Sequence, residues 1–328
     1  MKKTKLMFAL LAGLTLGACS SDSDEQTTQQ PPQPKSYPLT IEVTENPLVQ
    51  DGEESSSRSN RAEITTGATL SSFKLNYAFN STCSTEDPVT ALKDTEGKWT
   101  SEGSWPDIGE TNWKDVQVTW YAKTGGTLYL DGSNPYISFS VEEASSNQSD
   151  LLVATARGSY NDTFDGTTNK LAFTFDHACS ALRFYVKKST NLNNYRLDIT
   201  SIKLCNVVKV GKYYYNYGST PSWTPTATRT AYTISSALSD LGSASYVLLN
   251  GTETNSYLFM IPQTLTAWDP TGELSNTYLE VTCSINGAAS QTAYIPFGAT
   301  FAKGTKYNVK INIGKNSLYN NSGTLIIQ

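Results

Sequence analysis

The chain has 328 residues, a formal net charge of −5 at pH 7 and a single histidine. The acidic balance offers no basic footprint for nucleic acid, and one histidine excludes motifs that need two, such as HExxH. The length allows two domains of ordinary size. Tyrosine is abundant, with 19 residues, and helical periodicity is hard to find, which favours antiparallel sheets joined by turns.

The N-terminus predicts a lipoprotein signal peptide at residues 1–18. A basic start precedes an apolar stretch at residues 6–16, which is shorter than the roughly 20 residues needed to span a bilayer. The stretch ends in Leu16-Gly17-Ala18-Cys19, a lipobox whose Cys19 thiol accepts the diacylglycerol. The acidic run at 20–25 is similar to the tag that exports some Gram-negative lipoproteins to the outer face of the outer membrane. We therefore expect a lipid-anchored protein at the cell surface.

Residues 19–61 are predicted to form a lipidated tether with one β-strand inside it, at 37–43. Leu39, Ile41 and Val43 alternate with polar residues, as the inward side chains of a half-buried strand do. A lone strand cannot satisfy its own backbone groups, so it must pair with the folded body. A polar run follows the strand and contains two arginines, at positions 58 and 61.

The body predicts an all-β fold of two antiparallel β-sandwich domains in tandem, at 62–165 and 166–314. Turn residues separate short apolar or alternating runs at the intervals typical of sandwiches. The runs that predict strands are 73–77, 116–121, 128–130, 137–139, 151–154, 171–175, 182–186, 202–204, 257–261, 278–281 and 307–311. A tail at 315–328 carries a last β-prone run.

Little in the sequence indicates catalysis. His177 lies in a strand-like run, where a structural histidine is favoured over a catalytic one, and no phosphate-loop, dinucleotide or nucleophile-elbow motif occurs. We expect a non-enzyme with no catalytic residue, cofactor, metal or nucleic-acid partner. The cysteines at 83, 179, 205 and 283 lack zinc-like spacing, and the compartment permits disulfides. Mostly free thiols are favoured, because those at 179, 205 and 283 lie in apolar or alternating runs where a buried cysteine acts as a small hydrophobic residue.

Aromatic residues are the remaining candidates for ligand binding. Tryptophans cluster at 99, 105, 113 and 120, and a tyrosine run occupies 213–215. Exposed rings could stack on sugars, but both residue types are also common in the cores of sandwiches, and the core role is favoured.

Several blocks, in order, resemble the fimbrillin-like family of surface pilins. Trp105-Pro106 followed by residues 116–122, and the DLLVA run at 150–154, are similar to two of its segments. The most specific block is LAFTFDHACSALRFYV at 171–186, where Cys179 replaces the family's usual leucine. The resemblance implies two transthyretin-like sandwiches. It also implies a lipidated precursor whose first strand fills a groove in the N-terminal domain, until surface proteolysis after an arginine removes it and another subunit's C-terminal strand replaces it.

Mapped onto this chain, the resemblance assigns three sets of residues. The self-filling strand contains Leu39, Ile41 and Val43. The cleavage point is Arg61 or Arg58. The donor strand contains Leu325, Ile326 and Ile327. The implied partners are other copies of this chain or related pilins in a head-to-tail polymer, an arginine-specific surface protease, and the outer membrane through lipid on Cys19 before processing. A merely solubilising role for the two arginines stays open. So do an anchor or tip position in the pilus, and a surface glycan-binding lipoprotein.

Overall fold

The computed structural model describes residues 39–50, 70–79, 82–83, 88–106, 112–163, 170–216, 218–234, 237–249 and 257–327. Strands dominate these residues, which confirms the predicted all-β class. Every run that predicted a strand lies within one or overlaps one. The lipidation site Cys19 and the candidate cleavage points Arg58 and Arg61 lie outside the described residues.

The strands are short and separated by tight turns. In the N-terminal half their bounds are β1 Ile41–Glu45, β2 Val49–Gln50, β3 Ser72–Phe79, β4 Thr82–Cys83, β5 Val89–Lys93, β6 Trp99–Ser101, β7 Val118–Lys123, β8 Thr127–Asp131, β9 Asn134–Ser140, β10 Leu152–Gly158 and β11 Leu171–His177. In the C-terminal half they are β12 Ser180–Lys188, β13 Leu197–Val208, β14 Val210–Tyr214, β15 Ser222–Pro225, β16 Arg229–Thr233, β17 Val247–Leu248, β18 Leu258–Met260, β19 Gln263–Leu265, β20 Tyr278–Ile285, β21 Gln291–Pro296, β22 Ala299–Phe301 and β23 Thr305–Ile313.

Helical structure is confined to single turns in the described chain. The α-helical turn α1 spans Tyr160–Thr163, and 3-10 turns lie at Trp113–Asp115, Ser145–Asn147, Thr190–Leu192 and Lys315–Ser317. Within the ranges described, no helix combines the length and apolarity needed to cross a bilayer.

The sheet that holds the N-terminal strand has the order β1-β11-β10-β7-β3-β5-β6, with β4 paired to β3. β11 shows why it forms: Leu171, Phe173 and Phe175 point into the core, while the residues between them are exposed. β7 is instead buried on both faces, as a central strand is. The remaining sheets have the orders β17-β12-β23-β2 with β18 on β12, β16-β13-β20-β21, β15-β14-β9-β8, and β19-β22.

Three strand pairs are parallel, a departure from the antiparallel pattern that we predicted. β1 runs parallel to β11, β2 parallel to β23, and β12 parallel to β23. Parallel neighbours are joined by a long connection, so they are distant in sequence. Alternation within one run shows which side chains face inward but does not show which strand pairs with it. Two of these pairs attach the N-terminal segment to the body.

Two hydrophobic clusters fill the interior. One includes Phe73, Trp120 and Phe173, and the other includes residues from β9, β12, β13 and β20. Adjacent residues of β7 serve both, since Trp120 belongs to the first cluster and Tyr121 to the second. The sheet that contains β7 therefore separates the two clusters.

β11 belongs to the sheet of β3, β7 and β10, so sheet membership changes after His177 rather than at the predicted boundary of 165/166. The turn-rich stretch that suggested this boundary precedes β11 but does not end the sheet, because β11 pairs back with β10. The division into two sandwich domains stays a prediction; residues 37–328 cluster as one compact unit.

Candidate functional site

The N-terminal strand fills an edge of the main sheet. β1 pairs in parallel with β11, with Ile41 opposite Leu171 and Glu45 opposite Phe175. The Leu171 N–H donates to Thr40 O at 2.8 Å, and the Asn46 N–H donates to Phe175 O at 2.8 Å. These bonds satisfy backbone groups that would otherwise be open on the β11 edge.

The alternation predicted for this strand is confirmed in the burial of its side chains. Leu39 and Ile41 are 3% and 4% exposed, and Val43 is half-buried against the same cluster as Phe73. Burying an aliphatic side chain of this size contributes about 1.5–3 kcal/mol. The paired strand begins and ends later than predicted, at Ile41–Glu45 instead of 37–43.

The opposite side of β1 faces the other end of the same sheet. The Leu39 N–H donates to Gly103 O at 3.2 Å, in the loop after β6. β6 and β1 are the two end strands of the sheet's path, so this bond brings the ends together. Without β1, the β11 edge and the Gly103 loop would face each other across an apolar groove, which we call the β1 groove.

The segment after β1 reaches the second hydrophobic cluster. Leu48 is 2% exposed and belongs to that cluster, and the Val49 N–H donates to Gly304 O at 2.8 Å. Gln50 Nε2 donates to Lys306 O at 3.2 Å beside β23. Residues 39–50 therefore fill positions in both clusters of the body.

A buried histidine closes the end of the β1 groove, and sequence reasoning gave it only a structural role. His177, the last residue of β11, contacts Asp150 Oδ2 through Nδ1, and its Nε2 lies 3.6 Å from Glu45 Oε1 on β1. Burial lowers the pKa of His177, but the hydrogen bond and charge of Asp150, with the charges of Glu45 and Asp176, outweigh it and raise the pKa above its ordinary value. The histidine was visible in the pattern FDH at 175–177, but its partners Asp150 and Glu45 are distant in sequence, so the pattern could not reveal these contacts.

The candidate donor run lies against its own body instead of forming a free extended strand. Tyr319 exchanges backbone hydrogen bonds with Tyr294 of β21, and the Ile326 N–H donates to Leu318 O at 2.8 Å. Ile327 is 6% exposed, whereas Leu325 and Ile326 are half-buried. The structure therefore does not bring this run and the β1 groove together within one chain.

Three of the four tryptophans considered as sugar platforms belong to the core. Trp99, Trp105 and Trp120 are 9%, 8% and 0% exposed, which confirms the core role favoured for them. The Trp113 side chain lies outside the described part. Tyr213 and Tyr215 are also buried.

A different set of rings faces solvent, across the sheet β15-β14-β9-β8. Tyr129, Tyr136 and Tyr214 are directly opposite one another on β8, β9 and β14. Their ring centroids are 5.5 and 5.2 Å apart, and Tyr129 is 46% exposed. Tyr214 Oη donates to Asp131 Oδ2 at 2.9 Å, and Lys212 Nζ lies 4.5 Å from the Tyr136 ring centre. We call this set the tyrosine row.

The thiols favour a structural role. Cys179, Cys205 and Cys283 are free and buried, as predicted, and burial raises the pKa of Cys205 and of Cys283 to about 11. Such thiols are unreactive at neutral pH. The Cys83 side chain is outside the described part. Among the residues that are described, no group of three or more His, Cys, Asp or Glu could hold a metal ion.

These observations define a β-sheet protein in which an N-terminal segment completes both hydrophobic clusters of the body. A family model described as fimbrillin-like matches residues 59–326, so the chain belongs to the fimbrillin-like family. This confirms the resemblance of the sequence blocks. Membership of this family supports a pilus-type adhesion subunit on a cell-surface appendage.

Solved structures of partial similarity come from Bacteroides species. A fimbrial protein from Bacteroides vulgatus is 15% identical, with a TM-score of 0.48 and coverage of 84% of this chain and 95% of its own. A proposed cell adhesion protein from Bacteroides eggerthii is 13% identical, with a TM-score of 0.49 and coverage of 85% and 87%. A search of curated proteins gave no match. Likeness at this level does not define function, so the family assignment depends on the match over 59–326.

Proposed function

We propose that the chain is a non-catalytic fimbrial stalk subunit, made as an outer-membrane lipoprotein on Cys19 and polymerised by strand exchange. A surface protease cuts after Arg61, or after Arg58, and residues 39–50 then leave the body. The observation that carries the proposal is the position of β1: a strand from the tether pairs with the β11 edge and buries Leu39 and Ile41 in the same cluster as Phe73. The family match begins at residue 59, C-terminal to this strand, which is consistent with a body that functions without it.

Strand replacement needs a partner that repeats the chemistry of β1. Loss of β1 opens backbone groups on β11 and exposes the Phe73 cluster to water. A second subunit's tail offers Leu325 and Ile327 on one face of a strand, or Ile326 on the other, for the same positions, with backbone N–H and C=O groups for the β11 edge. Such a contact is heterologous and does not close, so it builds a filament.

An anchor or tip position in the same pilus is the neighbouring alternative. An anchor keeps its lipid, and a tip needs only one of the two exchanges. The presence of both a groove-filling strand and an apolar C-terminal run favours the stalk.

Two changes in the tail separate donation from docking. Deleting residues 323–328 removes the donor, so we expect a folded monomer that forms no filament in electron micrographs.

Gly323→Ala keeps the donor residues but undocks them, because Gly323 has φ +77° and a Cβ there would overlap the Pro270 carbonyl oxygen. We expect filaments from this variant and faster proteolysis of residues 318–327.

Gly132→Ala is the matched control for the second change, since Gly132 has φ +62° but open space around its Cα. It tests the backbone strain without the clash and should leave the tail docked. Filaments of normal length from the deletion variant would contradict the donor role.

A second candidate function, glycan binding, is favoured by the tyrosine row. Tyr129 is exposed, Tyr136 and Tyr214 are half-buried, and aromatic faces can contact the C–H groups of sugars. The row of residues beside them is polar by strand register: Thr127, Ser138, Lys212 and Thr224. Asp131 adds a carboxylate at the edge of the row.

Tyr129→Ala tests this candidate on a glycan array with the full chain. Binding of at least one glycan should be lost in the variant and kept in Leu92→Ala, because Leu92 is similarly exposed, at 45%, but lies on β5 in another sheet. An array without any signal for the unmodified chain would remove the candidate.

A further inference from the structure

The end of the β1 groove contains charged side chains that backbone pairing does not require. The side chains of His177 and Asp150 are 5% and 6% exposed, and that of Glu45 is 28% exposed. His177 and Asp150 belong to the body, whereas Glu45 belongs to the strand that occupies the groove. The body therefore presents an imidazole whose Nδ1 is held by Asp150 and whose Nε2 is directed at the occupant.

The next residue of the occupant is also contacted through its side chain. Asn46 Nδ2 donates to Asp176 Oδ1 at 2.7 Å, while the Asn46 N–H donates to Phe175 O. One step earlier, Thr44 Oγ1 lies 3.0 Å from Thr174 Oγ1. Three consecutive side chains of the occupant thus meet complementary polar groups of the body.

We propose that His177, held by Asp150, and Asp176 form a recognition site for strand side chains, which selects an occupant with a carboxylate at the Glu45 position followed by a hydrogen-bond donor. The site fixes register, because a slip of one residue would place an outward side chain opposite His177 and turn Leu39 and Ile41 out of the core. The inference relies on the proposed function only in treating β1 as replaceable. Because residues 315–328 contain no Asp or Glu side chain, the site holds β1 more tightly than it would hold the tail of a second subunit.

The charges around the site give this recognition a pH dependence. Glu45 faces His177 from β1, Asp150 from the loop before β10, and Asp176 from β11 itself. Asp176, His177 and Lys303 line a cleft of about 380 Å³, with Lys303 in the turn before β23. Cys179, buried beside Asp150, remains a neutral thiol because burial raises its pKa.

His177 has a raised pKa in the folded protein, so its contribution is complete below the unfolded value of about 6.5. The contribution is lost as the pH rises through the folded-state pKa. The hold of the body on Glu45 is therefore tightest in mildly acidic solution.

Hydrogen–deuterium exchange of residues 39–50 in the uncleaved full chain tests the site. Glu45→Gln keeps the shape of the side chain but removes its charge, and Glu42→Gln, on the exposed face of the same strand, is the matched control. At pH 6 we expect exchange in the Glu45→Gln protein to be roughly threefold faster than in the unmodified chain, as for a partly exposed ion pair. The ratio should shrink at pH 9, after correction for intrinsic rates, and the control should not change.

Equal exchange in the Glu45→Gln and Glu42→Gln proteins at both pH values would overturn the recognition site. His177→Gln is not needed, which avoids a variant that fails to fold around Asp150. Because the chain is not cleaved in this experiment, a negative result leaves strand replacement standing. Conversely, if the chain is never cleaved at Arg61, strand replacement fails but the exchange result on the uncleaved chain still holds.

Discussion

Ile41→Ala is expected to release the N-terminal strand from its groove, with a loss of about 2–5 kcal/mol in the free energy that holds it. Ile41 is 4% exposed and belongs to the same cluster as Phe73 and Phe173, so truncation leaves a cavity that a β-sheet cannot close without moving its strands. Hydrogen–deuterium exchange of residues 39–46 measures the loss directly, and denaturation by urea shows how much of it reaches the body.

Glu42→Ala serves as the control, because Glu42 is exposed and lies between the two inward residues Ile41 and Val43. Exposed positions of this kind change stability by about 0.5 kcal/mol or less. Similar exchange in the two variants would contradict the view that apolar burial holds β1 in place.

Replacing both Arg58 and Arg61 by glutamine is expected to abolish filaments completely. The proposed protease needs an arginine in the segment that joins β1 to the body, and these are the two arginines between residues 50 and 70. Without the cut, β1 stays covalently tethered, and an incoming donor must compete with a strand at high effective concentration. Immunoblots of the membrane fraction should then show only the lipidated precursor.

The single variants divide the roles of the two arginines. Arg61→Gln is expected to cause most of the defect, because residue 61 directly precedes the body predicted to begin at 62, whereas Arg58→Gln should be processed almost normally. Normal filaments from the double variant would show that the arginines serve only to keep the linker soluble.

The sequence predicted the local properties of the site and missed the contacts over long distances. The alternation of Leu39, Ile41 and Val43 revealed a half-buried strand, because side-chain direction has period two in any strand. The same pattern carries no information about the partner, so parallel pairing with β11 and the shifted bounds Ile41–Glu45 were not predictable. The charge of Glu45 had no visible purpose until the fold placed it beside His177.

The tail and the domain boundary show the same limit. Residues 325–327 were predicted to be β-prone, but their docking depends on a turn in which Asn320 Oδ1 accepts from the Thr324 N–H at 2.9 Å. Turn residues before β11 suggested a domain boundary, yet β11 returns to β10, since pairing and not turn content decides sheet membership. The tyrosine row likewise arises from register across β8, β9 and β14.

Determination of the N-terminus of the protein sheared from the cell surface tests strand replacement most directly. Mass spectrometry should find a mature chain that begins at Ala62, or at Ser59 if Arg58 is cut, and lacks residues 39–50. Recovery of only the lipidated chain that begins at Cys19 would contradict the stalk role, because β1 would then remain in its groove.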